Sequence, residues 1–314
     1  MSPDVMVVGS LSMDLVLQVP RVPKVGETLA GYSFETFVGG KGNNQALSAA
    51  RAGAAVTMLG KVGGDPYGDV VLNTLKQNGV NCKNMLTDQT IGTGIANIWV
   101  GPTGENCIII VANSNGKLSP QDVDNAAEVI MSAKTLLLQL EVPVETITRA
   151  AAVAKRGNTR VILNPAPAPP SGSLPPELLA NIDILVPNET EAELLTGIKP
   201  HDDDSTEACA LKLLSLGPKT VIITLGERGA VMLSHSANGL DKLHVSSYPV
   251  KVVDSTAAGD AFCGALASHL AKGASMELAI RYGCAAGALA CTKPGAEPSL
   301  PTAAELDAMV ASRV

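Results

Sequence analysis

Aromatic side chains are scarce in this chain, at 3 %: three Phe, four Tyr and one Trp in 314 residues. A core must then be built from the Ala, Val, Leu and Ile that dominate its 46 % hydrophobic content. Small and β-branched residues of this kind suit helices packed on a parallel sheet. Histidine is also rare, with four copies, and the six cysteines (82, 107, 209, 263, 284, 291) show no C-x-x-C spacing. Neither a zinc site nor a disulfide framework is expected, and the default compartment is reducing, hence cytoplasmic. Cys263, Cys284 and Cys291 lie among small residues and read as space fillers. Positive charge is lacking too. A net charge of −7 supplies no basic patch to displace counterions, which disfavours nucleic acid and anionic membrane as partners. No apolar run reaches the roughly 18 residues of a membrane span, and the N-terminus has no charged-then-apolar signal pattern, so a soluble protein is expected.

What is present is alternation. Strand-length apolar runs occur at residues 5–8, 56–59, 135–140, 161–163, 182–186, 220–225 and 230–233. Helical stretches occur at 43–53, 67–78, 120–131, 144–155, 189–196, 206–215, 260–271 and 276–291. The order predicts an α/β fold, a doubly wound, mostly parallel sheet flanked by helices, with ligands beyond the carboxyl ends of its strands. Residues 1–314 read as a single α/β domain. Two insertions, at about 15–38 and 94–111, instead alternate apolar and polar residues as half-exposed strands do, and residues 101–104 (Gly-Pro-Thr-Gly) turn the second into a hairpin. They predict a small antiparallel sheet.

The most informative segment is Asp254-Ser255-Thr256-Ala257-Ala258-Gly259-Asp260, at the mouth of an apolar helix. Small residues at a helix start leave its first N–H groups bare and able to hold an anion. A carboxylate in that turn suits phosphoryl transfer to a hydroxyl: the amides gather charge on the moving group and the Asp takes the proton. An ordinary capping Asp is the alternative.

Other segments carry similar pairs of readings. Asp14 is expected to end the first strand, as a turn cap or as an acceptor for two hydroxyls. The loop Gly39-Gly40-Lys41-Gly42 is not a P-loop, because Gly42 stands where a metal-binding hydroxyl belongs. It is either a simple loop-to-helix turn or a flexible joint presenting Lys41 and Asn44. Only Gly9 survives of a dinucleotide G-x-G-x-x-G, which argues against a dehydrogenase. Glu141, before Val142-Pro143, is a helix-start charge or a hydroxyl acceptor. Asn188 and Glu191 fit a capping box and a hydrated magnesium site equally well. Thr224, Gly226 and Gly229 belong to a Gly-flanked turn. Residues 201–204 (His-Asp-Asp-Asp) read as a solvated loop, and Trp99 as packing.

Four of these segments, around Asp14, Gly39–Gly42, Asn188–Glu191 and Asp254–Asp260, stand in an order that resembles the PfkB-type carbohydrate kinase family from residue 5 to about 301. The resemblance implies ATP-dependent phosphorylation of a sugar, D-ribose at its 5-hydroxyl, with Asp260 as base and Ala257, Ala258 and Gly259 supplying amides. It places Ser12, Asp14, Gly39, Gly40, Lys41, Asn44, Glu141 and Asp260 on the sugar; bacterial ribose-phosphorylating members carry Asn where Ser12 stands. It places Asn188, Thr224, Gly226, Gly229, Gly259 and Cys284 on ATP, and Asn188 and Glu191 on Mg²⁺. Asp254, Thr256, Ala290, Lys293, Gly295 and Ser299 match a monovalent-cation (K⁺) loop. The small sheet becomes a lid and a homodimer contact. Deoxyribose, fructose or a nucleoside as substrate, and a non-catalytic sugar- or nucleotide-binding protein, are the alternatives.

Overall fold

Runs of three or four apolar residues, mostly Val, Ile and Leu and too short for buried helices, form the centre of one large sheet. The computed structural model describes residues 2–236 and 239–313. Its strands are β1 (Val5–Val8), β2 (Ser12–Gln18), β3 (Ser33–Gly39), β4 (Val56–Leu59), β5 (Lys61–Gly63), β6 (Leu86–Asp88) and β7 (Gly94–Val100). They continue with β8 (Asn106–Val111), β9 (Thr135–Leu138), β10 (Arg160–Leu163), β11 (Ile184–Leu185), β12 (Thr220–Thr224), β13 (Ala230–Ser236) and β14 (Gly239–Val245). The large sheet has the order β14-β13-β12-β11-β10-β9-β1-β4. Six strands are parallel, from β12 to β4, and β13 and β14 add an antiparallel edge.

Period-two alternation sends the two faces of each strand to different layers. Val5 and Val7 pack with Leu47, Ala265 and Ala285 from the helices Lys41–Arg51, Ala258–Ala271 and Met276–Ala290. Met6 and Val8 pack on the other side with Leu136, Leu138 and Ile147, the last from the helix Val144–Arg156. Strand order reverses at β1, whose neighbours β4 and β9 lie on opposite sides. A crevice therefore opens beyond the ends of β1 and β9, the expected ligand position in such a sheet.

The smaller sheet has the order β3-β2-β7-β8, in which two antiparallel pairs are joined by a parallel pairing of β2 with β7. Its strand β8 is exposed on both faces, with Phe34, Ile109 and Val111 on one and Ile108 and Ile110 on the other.

Three expectations need correction. Asp14 does not end the first strand: β1 stops at Val8 and, after residues 9–11, Asp14 lies inside β2 of the smaller sheet. The stretch 120–131 is two short helices, Pro120–Asn125 and Ala127–Ser132, because the backbone tightens at Ala126 (φ −100, ψ 9), and both halves pack on the Val144–Arg156 helix. Strand β14 and the C-terminal helix Ala303–Ala311 were not anticipated, the latter held at its start by a Thr302–Glu305 capping box. Among the described residues no helix is long and apolar enough to cross a membrane, and all six cysteines are free.

Candidate active site

The loop after β1 and the diglycine loop are built against each other. A Cβ on Gly42 would sit 2.5 Å from the Ser10 nitrogen, and one on Gly40, at φ 91, would sit 2.8 Å from the Leu11 Cα. Only glycine permits both the approach and the dihedral. This contact, rather than flexibility, is the visible reason for the glycines. The Ser10 hydroxyl clips the junction, donating to Glu141 Oε2 at 2.6 Å and accepting from the Gly42 N–H at 3.3 Å. Glu141 Oε2 also accepts from the Lys41 N–H at 3.0 Å. One Glu141 oxygen is thus committed to holding the loop, and Oε1 remains for a ligand.

Those constraints start a helix at Lys41, two residues earlier than the apolar pattern suggests, and aim Lys41, Asn44 and Gln45 at Asp260. Asn44 Nδ2 donates to Asp260 Oδ2 at 3.1 Å, and Gln45 Nε2 donates to Oδ1 at 2.9 Å. Ser12 Oγ donates to Asp14 Oδ1 at 3.1 Å, so Ser12 orients the carboxylate. Gly39 makes room for that same carboxylate, which a side chain there would strike.

Three carboxylates, Glu141, Glu191 and Asp260, share the field of one ammonium, Lys41, and Asp14 joins them through the fields of Glu141 and Asp260. Burial works against the Lys41 charge, but Asp260, Glu141 and Glu191 outweigh it and its pKa is raised. Burial pushes Asp260 up, opposed by Lys41 and the Gln45 and Asn44 amides, and the net direction is upward. Asp14 rises to about 6, first through burial and then through the charges of Glu141 and Asp260, with Ser12 in opposition. Glu191 is raised by burial against the Asn188 N–H and Lys41. Such a cluster accepts hydrogen bonds from hydroxyls and attracts cations.

Asp260 lies in the first turn of the helix Ala258–Ala271, whose N-cap, Ala257, takes a left-handed backbone at φ 61 and offers no capping side chain. The Ala258 N–H is used within the turn, donating to the Ser255 C=O at 3.2 Å. The expectation that Ala258 supplies a free amide with Ala257 and Gly259 is corrected accordingly: among the described residues, the N–H groups of Ala257, Gly259 and Asp260 have no acceptor. A left-handed alanine is strained and aims these groups outward. A Cβ on Gly259 would meet nothing within 4 Å.

Beyond Gly259 opens a cleft of about 880 Å³. Asn188, Thr224, Gly226, Gly229, Gly259 and Cys284 all line it. Its wall also includes residues the sequence pattern did not single out: Tyr248, Phe262 and Arg313. The Arg313 guanidinium lies 4.1 Å over the Tyr248 ring and donates to the Ser246 C=O at 2.9 Å. Burial pushes the Cys284 thiol up to about 12, a packing residue at the cleft wall. Asn188 and Glu191 form the reciprocal capping box, at 2.8 and 2.9 Å, and a bridge between Asn188 and Thr224 holds this helix start beside the end of β12. Asp14, Lys41, Asn44 and Glu141, the residues expected on a sugar, lie outside the cleft's lining, and Asp260 stands between the two groups.

Asp254 ties the remaining predicted residues together. Its Oδ1 accepts from Thr256 N–H at 2.9 Å and Oγ at 2.6 Å, and its Oδ2 from the Gly295 N–H at 2.9 Å. Burial opposes the charge, but these donors hold Asp254 below the usual carboxylate range. The Val253 and Asp254 N–H groups both reach the Cys291 C=O. Residues 254–256 and 290–299 are thereby neighbours. The carboxylate and the Ser299 hydroxyl, which donates to the Ala296 C=O at 2.8 Å, are both engaged internally. Residues 201–204 stay apart from the site, with Asp202 capping the helix Asp203–Leu214, and Trp99 sits half-buried in β7.

A family model described as pfkB family carbohydrate kinase matches residues 2–303. The chain is 40 % identical over 299 residues to a ribokinase of Haemophilus influenzae, covering 95 % of each chain. It is 36 % identical to a deoxyribokinase of Salmonella typhi, covering 95 % of this chain and 96 % of that one. A structure of Arabidopsis thaliana ribokinase complexed with ribose and ATP superposes with a TM-score of 0.92 at 32 % identity, covering 99 % of both chains.

Proposed function

The chain belongs to the pfkB family of carbohydrate kinases, and from that premise we propose that it transfers the γ-phosphoryl group of ATP to the 5-hydroxyl of D-ribose, giving ribose 5-phosphate and ADP. The observation that carries this reading is the position of Asp260. It has a hydroxyl-accepting cluster on one side, a nucleotide-sized cleft on the other, and uncapped helix N–H groups in its own turn. Asp14, Gly39, Gly40, Lys41, Asn44 and the free Oε1 of Glu141 orient the sugar, and Ser12 steadies Asp14. Asp260 accepts the proton of the attacking hydroxyl, and its raised pKa makes it a stronger base than a solvated carboxylate. The amides of Ala257, Gly259 and Asp260 meet charge as it develops on the transferring group, with Ala258 shaping the turn. Thr224, Gly226, Gly229 and Cys284 line the nucleotide's path.

The oxygen-rich helix start at Asn188 and Glu191 suits a magnesium ion held through its waters, since both side chains already serve the capping box. An ion held there would neutralise phosphate charge. The adjoining loops 254–256 and 290–299 fit a potassium ion taken mainly by carbonyls, because the Asp254 carboxylate already accepts three hydrogen bonds. Asp254, Thr256, Ala290, Lys293, Gly295 and Ser299 form this loop pair. Its service is to fix the peptide planes that aim the amides of the neighbouring turn. The smaller sheet closes over the sugar as a lid and excludes water, and its exposed strand β8 pairs with a second copy. The enzyme works in the cytoplasm.

The relation to a deoxyribokinase favours 2-deoxyribose as a second reading. ADP release measured with ATP and a panel of ribose, 2-deoxyribose, fructose and a nucleoside tests both. Ribose should give the highest kcat/KM; no ADP release with any acceptor would leave a binding protein instead.

A further inference from the structure

Asp260 Oδ1 is met by a side chain that no part of the reaction described above employs. Gln45 is fully buried, one position after Asn44 in the Lys41–Arg51 helix, and the two amides grip different oxygens of the same carboxylate. We propose that Gln45 is a positioning residue for the base: it holds Asp260 from the side opposite Asn44 and connects it to the Asn188–Glu191 segment through buried amides. The proposal rests on Asp260 as the base of a sugar kinase.

The orientation of the chain of amides is determined by a group that can only accept. The Val186 C=O requires the Asn164 Nδ2, at 2.9 Å. Asn164 Oδ1 therefore faces Gln45 and takes its Nε2 at 3.1 Å. The same Nε2 donates to Asp260 Oδ1, and Gln45 Oε1 is left to accept from Gln139 Nε2 at 2.5 Å. Flipping Gln45 would set its oxygen against two other oxygens, so it has one stable arrangement. Asn164 Nδ2 also approaches Glu191 Oε2 at 3.5 Å, which closes the link to the predicted magnesium segment. Buried amides left without partners are costly, and an apolar side chain would fill this space more cheaply if filling were the only requirement.

The two amides are the only hydrogen-bond donors to the Asp260 carboxylate among the described residues. The charges facing it come from several elements: Lys41 on the helix of Gln45, Glu141 after β9, Glu191 on the helix Glu189–Thr196, and Asp14 on β2. Cys263 on its own helix is a neutral thiol, raised well above its usual range by burial. None of these replaces a donated N–H at Oδ1. Without it the ionised form of Asp260 is less favoured and the carboxylate can rotate.

The test is the pH profile of kcat at saturating ribose and Mg·ATP, which reports the base in the substrate complex and leaves out the Asp14 titration that enters KM for ribose, in Gln45→Met and in the isosteric Gln45→Glu. Gln45→Met should move the acid limb upward by about one pH unit, so that activity falls about tenfold below the limb and recovers above it. Gln45→Glu sets a second carboxyl against Asp260 and should move it further. KM for ATP should stay within about twofold. If Gln45→Met does not retain ATP binding, the profile of Gln45→Glu decides. A limb that stays in place, with activity lowered by one factor at every pH, would make Gln45 merely structural and overturn the proposal. Failure of the underlying reading is separately visible: wild-type protein inactive on every sugar, or Asp260→Asn retaining turnover, removes the base itself and the proposal with it.

Discussion

Replacing Asp14 by Asn should make the ligand-free protein more stable and nearly useless toward ribose. In the unfolded chain this carboxyl titrates at 3.8, whereas in the folded protein it titrates at about 6, because burial and then the charges of Glu141 and Asp260 disfavour its anion. Below pH 4 the group is protonated in both states and costs nothing. Between pH 4 and 6 folding takes up a proton, so stability falls as pH rises. Above pH 6 the native state carries the disfavoured charge, at a cost of about 3 kcal/mol. Asn keeps the shape and the acceptor for the Ser12 hydroxyl, now 3.1 Å from Oδ1, but carries no charge. The variant should therefore gain about 2–3 kcal/mol at pH 7.5, and the gain should fade to near zero by pH 4. Glu191, which does not act on Asp14, titrates in both proteins and cancels in the difference.

Denaturant melts of both proteins without ligands, at pH 4, 6 and 7.5, measure this directly. The same substitution should lower kcat/KM for ribose roughly 30- to 1000-fold, the equivalent of about 2–4 kcal/mol for lost charged hydrogen bonds, with KM for ATP unchanged. In the wild type, the ionised fraction of Asp14 falls about tenfold from pH 7 to 5, and KM for ribose should rise to match. A variant less stable at pH 7.5, or a stability difference independent of pH, would refute the assignment of a strained buried charge to Asp14.

Asp260→Asn removes the base and keeps the shape; turnover should fall by roughly 10²–10⁴ while ATP still binds, as followed by initial rates and calorimetry. Gly40→Ala forces a side chain to φ 91 and to 2.8 Å from the Leu11 Cα, so its melting temperature and ribose affinity should both drop. Gly259→Ala meets nothing within 4 Å in the ligand-free chain. It should melt like the wild type and lose turnover, because the new methyl group occupies the path of the phosphoryl group. Rates at fixed Mg·ATP and ribose should be higher in K⁺ than in Na⁺ or tetramethylammonium at equal ionic strength; identical rates would remove the cation loop.

Much of the fold was legible because its signals are local. Val5–Val8 and Val56–Leu59 are continuous apolar runs, and the smaller sheet announced itself by alternation at 94–111. Asp14 was placed on the wrong sheet because only three residues separate β1 from β2, and both strands read as apolar from their ends. Residues joined by long-range contacts were less visible. Gly42 is needed because Ser10 approaches from thirty-two positions away, while Ser10 and Glu141 meet across an interval of 131. Tyr248 and Arg313, which together wall the cleft, carry no motif at all.

Gln45, Gln139 and Asn164 present the sharpest case. Each is a polar side chain at 7 % exposure or less, and each is followed in the chain by Ala, Leu or Pro. That contrast is a readable signal, since burying an amide is unfavourable unless other polar groups come to meet it. It points to a polar centre in the interior without saying which segments share it. The partner of Gln45 is an aspartate 215 residues away, and only the closure of the sheet brings the Lys41–Arg51 helix against the turn that carries Asp260. Motifs name the groups that touch the substrate. The side chains that hold those groups still are defined by packing, and become visible once the fold is complete.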